Sequence, residues 1–135
     1  MRRLFGVFAA ALVFSLGAVA VIGRIGRDWE ARVSVRGHSM EPTLDDGDWL
    51  LVNPAAFRRR APRTGELVVA RDPHDARRVL VKRVAAIGTD GSLTLAGDHP
   101  AHADDGSAIG AVAADLVIGQ PWFRYWPTER IGKIA

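Results

Sequence analysis

From Ala31 onward the sequence predicts an all-β domain, a small, partly open barrel or folded sheet, preceded by one N-terminal transmembrane helix. Three observations carry this reading. Apolar runs after residue 31 are of strand length, and none shows sustained helical periodicity. Turn-forming pairs, Asp46-Gly47, Asp90-Gly91, Ala96-Gly97-Asp98 and Asp105-Gly106, punctuate those runs. Leu4 to Ile22, by contrast, is a 19-residue stretch without a charge, close to the ~20 residues a helix needs to cross the hydrocarbon core.

These elements divide the chain into an N-terminal tip and membrane anchor at 1–23 and a β domain at 24–135. Arg2 and Arg3 precede the apolar span and Arg24 and Arg27 follow it, so flanking charge does not set its orientation. A cleavable secretion signal ending at Ala18-Val19-Ala20 is the competing reading. Against it, the apolar run continues through Val21 and Ile22. Val33-Ser34-Val35 then alternates as a first strand. Trp49-Leu50-Leu51-Val52, Leu67-Val68-Val69-Ala70 and Val79 to Ala85 are apolar runs, and Leu93-Thr94-Leu95 follows the Thr89-Asp90-Gly91 turn. Phe57 to Arg63, with four arginines, is predicted to be a long loop. Near the C-terminus, Trp122-Phe123-Arg124-Tyr125-Trp126-Pro127 alternates as a closing strand, and its aromatic rings also suit a membrane interface.

Length and composition leave room for one small domain and an appendage. The absence of cysteine excludes disulfides and thiolate metal sites, so the domain holds together by packing. A formal charge of +3 and a pI near 10.2 suit contact with anionic lipid. No basic helix or aromatic-interleaved motif of a nucleic-acid binder is present, and no nucleic-acid partner is expected.

The residues with the clearest chemistry are Ser39, in Gly37-His38-Ser39-Met40-Glu41-Pro42-Thr43-Leu44, and Lys82, 43 positions further on in Val79-Leu80-Val81-Lys82-Arg83-Val84. A serine hydroxyl is a weak nucleophile at neutral pH and needs a neighbour to take its proton. A lysine can do so only where burial disfavours its ammonium form. Bringing an amine from a reference near 10.4 to neutrality takes about 4 kcal/mol. Of the 18 basic residues 16 are arginine, and the two lysines are Lys82 and Lys133. Arginine does not deprotonate in proteins, so a lysine in an apolar strand of an arginine-rich chain points to a titratable proton. A strand-end lysine reaching for water is the bland alternative. His38 is a second candidate base, although side chains of adjacent residues usually diverge.

Ser39-Met40-x-Pro42-Thr43-Leu44, Gly47-Asp48, Lys82-Arg83-Val84 and Gly97-Asp98 occur in an order that resembles the type I signal peptidases, membrane-bound Ser-Lys proteases. The resemblance implies Ser39 as nucleophile and Lys82 as general base, with no cofactor and no metal. It also implies a catalytic domain on the outer face of the cell membrane, Met1 to Arg3 in the cytoplasm, and signal-peptide-bearing precursor proteins as substrates. Ser39 follows the apolar span by 17 residues, so an anchored domain would reach bonds just outside the bilayer. The backbone N–H of Ser39 is the expected oxyanion donor. Some members add a serine hydroxyl two residues before the nucleophile, where this chain has Gly37. Substrate is expected to add as an extended strand beside Val33, Ser34, Val35, Leu80 and Val81, with alanine-sized pockets for the first and third residues before the cut.

The match weakens after Asp98. The family usually has asparagine at His99, a serine supporting the lysine at Ala103, and arginine at Ser107; Asp105 and Ser107 are the residues assigned to support the site here. His99-x-x-His102 with Asp98, Asp104 and Asp105 also offers nitrogen and oxygen metal ligands, which a polar surface loop explains equally well. The expected function is removal of signal peptides from exported precursors. The alternatives are maturation of one dedicated client protein and a non-catalytic, membrane-anchored β domain that binds a partner.

Overall fold

A computed structural model describes residues 32–102 and 109–134. The apolar anchor Leu4–Ile22, Asp105 and Ser107 lie outside the described residues. Among those described, no helix is long and apolar enough to cross a membrane.

Each expected strand forms where its apolar run stands. They are β1 (Arg32–Ser34), β2 (Trp49–Asn53), β3 (Leu67–Arg71), β4 (Val79–Ile87) and β5 (Leu93–Ala96), followed by β6 (Ala111–Val112), β7 (Val117–Trp126) and β8 (Gly132–Lys133). The strands pair antiparallel throughout, in the order β1-β2-β7-β3-β4-β5-β6, with β8 on β7. The sheet folds without closing. Val35 continues the β1 ladder past its last paired residue, donating to Asp48 O and accepting from Gly47 N.

Two apolar clusters fill the fold. One gathers Val68, Ala70, Val84, Leu93, Leu95 and Val112, with Phe57 of the arginine-rich loop packed against it. The other gathers Val35, Met40, Leu44, Leu50 and Leu67. β3 feeds both, and its first four residues are all buried, which is why its run is continuously apolar rather than alternating. The aromatic segment alternates in burial: Phe123 and Tyr125 are half-buried, while Trp122 and Trp126 are 46% and 52% exposed.

β7 serves both halves of the sheet. Its start pairs with β3 and its remainder with β2, and the crossover brings Gly119 against the end of β2. A Cβ on Gly119 would stand 2.4 Å from the carbonyl oxygen of Asn53 and 2.9 Å from Cα of Pro54. These are backbone atoms that cannot rotate away, so any side chain must push the strands apart. Gly119→Ala is therefore expected to destabilise the domain by about 1–3 kcal/mol, the usual range for overpacking, measured by chemical denaturation of the detergent-solubilised chain.

Candidate active site

The Ser39 segment is a turn pinned from below by its own apolar residues. Met40 and Leu44 are 2% and 0% exposed, so they sink into the second cluster, and Leu44 N–H donates to Met40 O at 2.9 Å. That leaves Ser39 half-buried at the rim. The Glu41–Pro42 peptide is cis. Gly37 has φ +86°, in the left-handed region that disfavours any side chain, and its N–H donates to Asp46 Oδ1. The serine that some signal peptidases carry at this position is thus sterically unwelcome in this turn.

Lys82 comes from β4, where Leu80, Lys82 and Val84 alternate onto the buried face. Its side chain is 8% exposed, and Nζ donates to Ser39 Oγ at 2.8 Å. The fold thus unites the two residues singled out from sequence. A hydroxyl hydrogen-bonded to an amine in surroundings that disfavour the charged form can pass its proton to that amine. The Ser39 backbone N–H has no hydrogen-bond partner among the described residues, leaving it available to an oxyanion. His38 turns away: Nδ1 lies 2.6 Å from Glu41 Oε1, and that contact holds the exposed imidazole pKa above its ordinary value.

Two ion-pair systems hold the turn against the sheet. In the first, Asp98 accepts from Arg83 Nε and Nη2 at 2.8 and 2.7 Å, and from Thr43 Oγ1 at 2.6 Å. Arg83 adjoins the lysine on β4 and Thr43 lies in the Ser39 turn, so one carboxylate ties together the segments that carry Lys82 and Ser39. His99 N–H adds a bond to Ser39 O. In the second, buried Asp48 accepts from Arg124 Nη1 at 2.9 Å, and the same nitrogen reaches Thr43 O. Arg130 pairs with Asp45 beside it. The motif Gly47-Asp48 and the pair Lys82-Arg83 marked part of this frame. Nothing in the sequence marked Arg124, whose bonds to Asp48 and Thr43 span 76 and 81 residues.

Val33, Ser34, Val35, Leu80 and Val81 line, with Ser39 and Lys82, a groove of about 540 Å³. Its walls offer strand edges. Among the described residues β1 pairs only with β2, and residues 79–81 of β4 pair only with β3 because β5 begins its pairing at Arg83. An extended peptide can add to such edges by backbone hydrogen bonds. Of the metal-like group, Asp98 is engaged as described and His99 Nδ1 accepts from Ala101 N–H. Among the described residues no cluster of three or more potential ligands forms.

With this geometry in view, the sequence comparisons are specific. The family model for signal peptidase, peptidase S26, matches residues 6–91. The chain belongs to the peptidase S26 family. Mitochondrial inner membrane protease subunit 2 of Danio rerio is 30% identical over 155 residues, covering 98% of this chain and 82% of that protein. Mitochondrial inner membrane protease subunit 1 of Homo sapiens is 25% identical, covering 74% and 72%. Probable signal peptidase I-1 of Synechocystis is 22% identical, covering 72% and 71%. Peptidase S26 relatives of this chain are therefore both signal peptidases and subunits of inner-membrane proteases.

Bidentate pairing with Arg83 leads, and Thr43 assists, in holding the Asp98 pKa below the ordinary carboxylate value. A depressed folded-state pKa gives stabilisation that is complete above the unfolded value and withdrawn as pH falls through the folded one. Stability of the chain is thus expected to decline below about pH 4, and Asp98→Asn to flatten that part of the decline. At neutral pH the substitution should cost about 1–2 kcal/mol and slow any Ser39-dependent reaction; paired pH and denaturant titrations check the first two effects.

Proposed function

We propose that this peptidase S26 member is a membrane-anchored serine endopeptidase that cleaves signal-peptide-bearing precursors at the outer face of the membrane. The observation that carries the proposal is the 2.8 Å hydrogen bond between Lys82 Nζ and Ser39 Oγ, made in a groove with open strand edges. Leu4 to Ile22 serves as the single-pass anchor.

Ser39 Oγ attacks the scissile carbonyl carbon, and Lys82 in its neutral form takes the hydroxyl proton. The Ser39 N–H stabilises the oxyanion. Collapse breaks the C–N bond, and the proton on Lys82 passes to the departing amine, leaving an ester on Ser39. Water then attacks the ester, Lys82 accepts its proton, and Ser39 Oγ leaves with that proton restored. No step calls for a cofactor. Asp105 and Ser107 are the candidates for further support of Lys82.

A second reading, maturation of one dedicated client, is favoured by the departures at His99, Ala103 and Ser107 and by relatives named as subunits of inner membrane proteases. The exposed rings of Trp122 and Trp126, with Trp49 opposite Trp126 in the β2–β7 register, suit contact with lipid headgroups in either case.

In proteoliposomes, the intact chain is expected to cleave a signal-peptide-bearing precursor. Ser39→Ala and Lys82→Arg should each lower the rate by at least about 10³-fold, since each removes one member of a unit that acts together. Lys82→Arg keeps the charge and removes the base, so full activity in that variant would refute the assignment. Product formation followed by gel and mass spectrometry also reads whether cutting is confined to one client.

A further inference from the structure

Among the described residues the groove is lined by four arginines, Arg32, Arg36, Arg77 and Arg78, and by no aspartate or glutamate. Arg78 has a loose partner, Asp72, at 3.7 Å, and its side chain remains 68% exposed. Arg32, Arg36 and Arg77 have no ion pair among the described residues. Three guanidinium groups without an ion pair and a fourth held only loosely, around a concave, partly apolar surface, focus a positive potential into it.

The topology gives this charge a direction. Four antiparallel steps, β1-β2-β7-β3-β4, make β1 and β4 run the same way. Both strands run from their N-terminal ends toward the dyad, β1 toward Ser39 and the first half of β4 to Lys82. Their N-terminal ends carry Arg32 on one wall and Arg77 and Arg78 on the other, so three arginines gather at the end of the groove remote from the chemistry. From Arg78 to Lys82 is four residues of extended chain, about 13 Å. Arg36 stands between that end and Ser39 in sequence and extends the positive wall.

We infer that this groove selects peptides carrying acidic side chains about four to six residues before the scissile bond. The inference rests on the proteolytic reading of Ser39 and Lys82, and on the resemblance that lays the residues preceding the cut along β1 and β4. Backbone hydrogen bonds to the strand edges then hold the peptide whatever its sequence, and the arginines discriminate among peptides by charge. Arginine suits the task because its planar fork pairs with a carboxylate through two parallel hydrogen bonds. Peptides with lysine or arginine at those positions are repelled by the same groups.

The test uses the full-length chain with Ser39→Ala, held in phosphatidylcholine nanodiscs, and fluorescent peptides bearing Glu, Gln or Lys at the fourth to sixth positions before the cut. Binding is read by anisotropy, so it does not depend on turnover. The Glu peptide should bind about five- to tenfold more tightly than the Gln peptide, which is what two or three exposed ion pairs give together, and the preference should shrink as salt rises. Arg77→Glu with Arg78→Glu should shift the preference toward the Lys peptide, a gain that a misfolded protein would not show. Equal binding of Glu and Gln peptides by the Arg-containing chain would overturn the inference. So would a charge-swapped variant that keeps its peptide preference but loses binding to phosphatidylglycerol vesicles, which would assign the arginines to lipid headgroups. Tight, charge-dependent binding by a chain with Ser39 intact that never cuts the peptide would support the selectivity and refute the proteolytic reading.

Discussion

The contact between Lys82 Nζ and Ser39 Oγ is the constraint on which the rest of the domain turns. An amine useful as a base at neutral pH must be kept from water, and a nucleophile must be open to substrate, yet the two sit at hydrogen-bond distance. β4 resolves the conflict by placing Lys82 on its buried face between Leu80 and Val84, while the Ser39 turn reaches the amine from the rim of the groove. Burial of Met40 and Leu44 does for the serine what the strand does for the lysine. The second apolar cluster is thus both core and foundation of the site, since Met40, next to Ser39, and Leu44 are among its members.

Burial alone does not fix a distance between segments 43 residues apart. Asp98 does that work by accepting from Arg83 beside the lysine and from Thr43 beyond the serine. Charge-assisted and bidentate, these bonds constrain orientation as well as separation. Asp48 and Arg124 brace the same turn from the β7 side, and Asp48 is buried with Arg124, Arg130 and the Asp45 N–H around it. A buried carboxylate is tolerable only with such partners, and removing one leaves a charge uncompensated. The frame explains why a small domain without disulfides spends several arginines inward.

Much of this was legible in the sequence, for reasons that differ by element. β2, β3, β4 and β5 were visible because their burial leaves apolar runs bounded by glycine turns. Ser39 and Lys82 were visible because one lysine stands out in an arginine-rich chain and because short-range motifs flank both. β6 and β8 were not: each is two residues long, and Ala111-Val112 and Gly132-Lys133 have no period to detect. The first half of β7 was missed because Gly119 and Pro121 disguise a strand whose glycine is needed for the close approach to Asn53. Arg124 belongs to a side-chain network assembled only by the fold, and no local pattern announces it.

Open strand edges at the groove pose a problem that the arginines also answer. Among the described residues, β1 and residues 79–81 of β4 each have a strand on one side alone, the usual template for unwanted pairing between chains. Natural sheets blunt such edges with charge, and here the charge is of one sign. Two copies of this domain meeting edge to edge would bring Arg32, Arg36, Arg77 and Arg78 against their own kind. A chain of opposite charge meets no such barrier, so the feature that keeps the edges from pairing with one another leaves them open to an acidic strand. Exclusion and recognition then follow from one arrangement, because specificity is a difference between affinities and repulsion contributes to it as fully as attraction.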